Sequence, residues 1–113
     1  MINRAAIILK YKEPFIHWVN KSDPYDNDPG ITLEEANSDC TVYLIREDDA
    51  ENLDEWISLN YIQLFESELE DWYIDESLWP KNRNRGIFNE WFDVECHSAI
   101  SDTVGNKIVD DEI

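Results

Sequence analysis

The chain has 113 residues, and its 26 Asp plus Glu outweigh nine Lys plus Arg to give a formal net charge of −17. Hydrophobic residues make up 42% and aromatic residues 12%, with five Trp, which excludes an acidic disordered tail and calls for a buried core. The longest unbroken apolar run, Ala5 to Leu9, falls far short of the roughly 20 residues that a membrane-spanning helix needs. The length is that of a single domain, 1–113, in which 103–113 reads as a loosely attached tail. Cys40 and Cys96 are too few and too far apart for a disulfide framework. No apolar stretch with a small-residue cleavage site follows the first residues, so a cytoplasmic location is expected.

Ala5 to Tyr11 is apolar at both alternating sets until Lys10, the pattern of a central strand covered on both faces. Glu13-Pro14 opens a helix, because proline suits the first helical position, and Phe15, Ile16, Trp18 and Val19 form its apolar side as far as Lys21. Ser22 to Gly30 has loop chemistry. Thr32 and Glu35 stand at capping-box spacing, and Thr41 to Arg46 reads as a second strand. Asp48 or Asp49 opens the clearest helix. Its stripe runs through Leu53, Trp56, Ile57, Asn60, Tyr61, Leu64 and Phe65 and extends to Leu69 and Trp72, with Glu51, Asp54, Glu55 and Glu66 facing water. Trp79-Pro80 breaks the pattern, and Asn84 caps a last helix carrying Ile87, Phe88, Trp91 and Phe92. Val94 to Ile100 is predicted as a third strand, with a short further one at Lys107 to Val109. The order β-α-β-α-α-β implies an α+β fold: a small three- to four-stranded sheet with helices packed mainly on one face.

Charge is unevenly placed: residues 1–21 carry +3, residues 22–80 carry −17, and residues 81–113 carry −3. Such a field repels phosphate backbones and anionic lipid, which argues against direct nucleic-acid or membrane binding. It would attract a basic protein surface and speed the encounter, and it also serves solubility.

Candidate sites are few. The loop Asp23-Pro-Tyr-Asp26-Asn-Asp28-Pro-Gly30 fails the calcium-loop pattern, which would put Tyr25 and Ala36 at ligand positions. Asp93, Glu95 and His97, with Glu90 nearby, mix carboxylates with an imidazole but lack zinc spacing; on a strand, Glu95 and His97 share a face and are the weak metal candidates. Cys96 and His97 are adjacent and so point to opposite faces, which rules out a direct nucleophile–base pair. No nucleophile elbow, phosphate loop or dinucleotide fingerprint occurs, so no catalytic residue and no cofactor is assigned. The densest constellation is Glu68 to Arg83 (ELEDWYIDESLWPKNR), where aromatics interleave with charge either as a recognition surface or as a connection pinned to the core by Trp72, Leu78 and Trp79.

That segment, with Lys12 to Asn20 (KEPFIHWVN) and Phe88 to Ser98 (FNEWFDVECHS), resembles a family of small acidic bacterial proteins of no assigned function. The likeness runs from Arg4 to about Asp102, is most specific at Asp75-Glu-Ser-Leu-Trp-Pro80, and carries over no activity, cofactor or partner.

The expectation is a non-enzymatic acidic interaction or regulatory protein whose partner is a basic protein surface. In its sharp form it is a DNA mimic, in which carboxylates stand in for phosphates. Asp54, Glu55, Glu66, Glu68, Trp72 and Trp79 are the expected partner-binding residues. Two alternatives stand beside it: a small metal-binding or hydrolytic domain using Asp93, Glu95 and His97, and a structural subunit of a homo-oligomer.

Overall fold

The structure, a computed structural model, describes residues 1–23 and 30–110. Most of the loop weighed for calcium, including Asp26 and Asp28, lies outside the described residues. The fold is α+β. Strand β1 (Ala5–Tyr11) lies at the centre of a three-stranded antiparallel sheet, between β2 (Val42–Ile45) and β3 (Phe92–His97), in the order β2-β1-β3. Ala5 faces Ile45 and Ile8 faces Val42 on one side; Ala6 faces His97 and Tyr11 faces Phe92 on the other.

Alternation along these strands splits the sheet into two unlike faces. Ala5, Ile7, Leu9, Tyr11, Ile45 and Phe92 point into the core, with Tyr43 and Val94 packed against it. Ala6, Ile8, Lys10, Val42, Leu44, Asp93, Glu95 and His97 occupy the opposite face by register. Val42 and Leu44 there are 53% and 50% exposed, so the helices cover the sheet mainly from one side. The AAIIL run suggested cover on both faces. The central position of β1, flanked by strands on each side, leaves Ala6 buried and Ile8 half-buried without a helix over them.

The helices begin where capping chemistry allows. Helix α1 (Glu13–Ser22) has Pro14 in its first turn and buries Phe15, Ile16, Trp18 and Val19. Short α2 (Leu33–Ala36) has a full capping box between Thr32 and Glu35. The long acidic helix is in fact two: α3 (Glu47–Glu51) stops at Asn52, whose side chain bonds the Asp48 carbonyl at 3.2 Å, and α4 (Leu53–Trp72) carries the apolar stripe. Asparagine competes for backbone partners in this way, which the stripe periodicity could not register. Helix α5 (Arg85–Trp91) is capped by Asn84, whose Oδ1 accepts the Ile87 amide at 2.9 Å.

Helix α5 ends at Trp91, where the Lys12 amide donates to the Trp91 carbonyl, and Phe92 enters the ladder opposite Tyr11. The third strand therefore runs from Phe92 to His97, two residues earlier than expected at its start. Lys107 to Val109 is exposed and forms no strand, so the sheet has three strands among the described residues, not four.

Phe15 organises the aromatic core. It stacks on Tyr11 at 4.2 Å between centroids and meets Trp18, Trp91 and Phe92 at 5.4, 5.8 and 5.3 Å. Phe65 brings α4 into the same cluster through Trp91 and Phe92. Tilted and edge-on pairs of this kind each add about 0.5–1.5 kcal/mol beyond area burial.

Two asparagines act as clamps. Where short β2 runs out, the Asn37 side chain pairs with the Tyr11 backbone, accepting its N–H at 2.8 Å and donating to its carbonyl at 3.0 Å. Asn20 grips Ile31 in the same way, with both bonds at 2.9 Å, beside Gly30 at φ +75°. A Cβ on Gly30 would stand 2.5 Å from Asn20 Oδ1. Gly30→Ala is therefore expected to destabilise the fold by about 1–3 kcal/mol, from a strained backbone plus a disrupted clamp. Urea unfolding of the variant, with an unchanged m value, checks this.

Candidate functional site

Helix α4 is the most charged element. Its 20 residues hold six acids (Asp54, Glu55, Glu66, Glu68, Glu70 and Asp71) and no Lys or Arg. The helix sends these acids in different directions. Glu68 lies three residues after Phe65 and four after Leu64, on the inward stripe, and is only 2% exposed. It belongs to the core and so departs from the partner-facing role expected of it.

Its carboxylate is met at both oxygens. The Tyr11 hydroxyl donates to Oε1 at 2.6 Å, and the Tyr43 hydroxyl donates to Oε2. Trp72 Nε1 donates to the Tyr11 oxygen at 3.1 Å, and Ser67 Oγ stands 3.1 Å from the Tyr43 oxygen. One side chain of α4 thus bonds residues of β1 and β2. Burial raises the Glu68 carboxyl above its ordinary value, with Asp71 adding to the rise, while the two phenol hydrogen bonds oppose it. Burial, followed by the Glu68 contact, pushes both phenols upward as well, so they remain protonated donors. With both oxygens engaged and the residue almost wholly buried, this carboxyl holds the fold together and is poorly placed for acid–base work on a substrate.

The linker after α4 is pinned rather than free. Trp79 is buried, and its Nε1 donates to the Tyr73 carbonyl at 2.8 Å. Trp18 Nε1 donates to the Leu78 carbonyl at 2.9 Å, and the Tyr73 hydroxyl donates to the Val19 carbonyl at 2.6 Å. Trp72 is half-buried against the core. The Asp-Glu-Ser-Leu-Trp-Pro block therefore fastens the linker to α1. Asp75 starts its single 3₁₀ turn (Glu76–Leu78) by accepting from the Ser77 amide and hydroxyl, which holds its carboxyl below the ordinary range.

Beside this linker, α4 borders an open groove of about 440 Å³ lined by Gln63, Glu66, Ser67, Glu70, Ile74, Glu76 and Trp79. Arg83 touches two of these lining residues. Its guanidinium lies 5.9 Å from the Trp79 ring centroid, donates to the Pro80 carbonyl at 2.7 Å, and approaches Glu66 at 3.5 Å. Arg85 pairs with Asp54 at 2.9 Å and bonds Ser58. Two expected partner-facing acids, Glu66 and Asp54, are thus bridged by bases from the following loop and α5. Glu55 remains exposed on the outer side of α4, in line with exposed Leu59 and Ile62. Exposed bridges of this kind contribute about 0–1 kcal/mol each.

Asp93, Glu95 and His97 share the uncovered sheet face, spaced along one strand at about 7 Å intervals. Among the described residues, no three His, Cys, Asp or Glu side chains gather in a metal-holding arrangement. Cys96 is exposed on the other face of the strand, and Cys40 is free and half-buried. No helix among the described residues is long and apolar enough to cross a membrane.

The raised Glu68 carboxyl fixes a pH dependence. The folded chain takes up this proton at a higher pH than the unfolded chain does. Stability should therefore rise as pH falls through the folded value toward the ordinary value of 4.5, and be lost in the reverse direction. Glu68→Gln should flatten this slope in melting temperature against pH between 7 and 5. Glu68→Ala, which leaves the buried Tyr11 and half-buried Tyr43 hydroxyls without their acceptor, should cost about 3–5 kcal/mol in urea unfolding at pH 7.

Compared with protein-family models, with curated proteins and with solved structures, the chain shows no match.

Proposed function

We propose that this is a cytoplasmic, non-enzymatic interaction or regulatory protein whose acidic helical side receives a basic surface of another protein. The observation that carries the reading is α4: six acids and no base in 20 residues, of which Glu55, Glu70 and Asp71 are exposed, with Leu59 and Ile62 exposed on the uncharged stretch between its two acidic ends. Exposed aliphatic side chains flanked by a surplus of acids suit a partner that is both cationic and apolar. Solubility alone would be served by the charge without the exposed leucine and isoleucine. The buried, fully bonded state of Glu68 also supports a non-catalytic reading, because it withdraws a carboxyl of raised proton affinity from solvent. The DNA-mimic form of the proposal requires the α4 carboxylates to engage a nucleic-acid-binding face.

The test uses the full chain as bait in a lysate of its own cells at low and high salt, beside a Glu55→Lys, Glu70→Lys, Asp71→Lys variant. A basic protein should be retained at low salt, released at high salt, and lost in the variant while the melting temperature stays within a few degrees. Retention unaffected by all three reversals would overturn the proposal. So would a stoichiometric metal in the purified protein that disappears on His97→Ala, which would move the function to the β3 face.

A further inference from the structure

The partner-facing acids do not form a uniform surface, because α4 and the linker fold a groove between them. Its walls carry Glu66 and Glu70 from α4 and Glu76 from the 3₁₀ turn; its apolar parts are Ile74 and Trp79. Ile74 is 83% exposed at the mouth, although a large aliphatic side chain at the start of a pinned linker could have packed inward. The volume, about 440 Å³, is the size that accepts one or two side chains.

The chain itself supplies an example of the chemistry. Arg83 lies against the Trp79 ring and reaches Glu66, so a guanidinium is already held by an aromatic face and a carboxylate. Arg83 engages Glu66 alone of the three groove acids and leaves the stretch of groove between Glu70 and Glu76 to a second cation.

We infer that this groove is the docking site for a basic protein segment that seats one apolar side chain against Ile74 and Trp79 and sets Lys or Arg against Glu70 and Glu76. The inference rests on the reading of a basic protein partner and names the surface and the segment chemistry. Charge complementarity selects this occupant over a second copy, since α4 of another copy would bring further exposed acids, Glu55, Glu70 and Asp71, and no base of its own. Contact with Ile74 and Trp79 separates it from a purely electrostatic encounter, which any acidic face of the molecule could support.

The experiment titrates the ¹⁵N-labelled full-length protein with two synthetic peptides, acetyl-Lys-Arg-Leu-Lys-Arg-amide and the same peptide with Ser in place of Leu, following amide shifts. The leucine peptide should bind at least about tenfold more tightly than the serine peptide, with the largest shifts at Gln63, Ser67 and Ile74. Ile74→Ser should abolish that preference, and Glu70→Gln with Glu76→Gln should weaken both peptides. Asp93→Gln with Glu95→Gln, which removes the same charge from the sheet face, should leave binding unchanged. Equal binding of the two peptides, or equal losses in the groove and sheet-face variants, would overturn the groove while leaving the general reading of a basic partner intact. Failure of both peptides to bind at low salt, with no salt-sensitive capture from lysate, would overturn both. A dimer in sedimentation that Ile74→Ser converts to monomer would assign the groove to a second copy instead.

Discussion

A single buried carboxylate joins the layers of this molecule. Glu68 projects from the inward side of α4 and receives hydroxyl groups from Tyr11 on β1 and Tyr43 on β2. Apolar contact between a helix and a sheet tolerates sliding and rotation, because dispersion has little directional preference. Two hydrogen bonds to one carboxylate do not. They fix where α4 lies along the sheet and how it is turned about its own axis, and the Trp72 indole on Tyr11 adds a third constraint one turn further on. Buried ion-type networks are poor sources of net stability, since desolvation offsets much of the attraction. The aromatic cluster around Phe15 and Phe65 is the main source of cohesion, and Glu68 sets the geometry into which it packs.

That orientation determines what α4 shows to water. With Leu64, Phe65, Glu68 and Leu69 turned inward, Glu55, Leu59, Ile62 and Glu70 fall on the outer side. The linker then returns along α4, held by the indole hydrogen bonds of Trp18 and Trp79, and completes a groove that neither segment could form alone. The same polar groups that pin the linker thus create an acidic concavity beside α4.

Much of this was legible in the sequence, and the parts that were not have physical causes. The α+β class, the central strand, the buried side of α1, the caps at Thr32 and Asn84 and the stripe of α4 all follow from periodicity and end chemistry. The break at Asn52 did not show, because one side-chain bond to a nearby carbonyl ends a helix without changing the apolar spacing. The start of β3 was displaced because Phe92 fits both the apolar side of a helix and the inward set of a strand. Glu68 was the most informative miss. Its position on the stripe was visible, and so was its departure from the apolar residues around it. The tyrosines that make burial tolerable lie 57 and 25 residues away, where no local pattern reaches. The pinning of Trp79 did not show either, because an indole held by hydrogen bonds and an indole at an interface have the same sequence surroundings.

The placement of β1 bears on the order of events during synthesis. The first strand made is the central one, and its longer partner, β3, is the last element of the fold, pairing Ala6 with His97. A chain emerging from the ribosome can join β1 to β2 early, but one edge of β1 has no strand beside it until residues 92–97 are released. Sheet closure therefore awaits a long-range pairing, which costs loop entropy and slows the final step. During that interval the nascent chain carries an open hydrophobic edge, the condition under which partly folded chains pair with one another. Nearly all the surplus negative charge lies in residues 22–80, between the waiting strand and its partner. Mutual repulsion of incomplete chains by that segment opposes such pairing until β3 arrives.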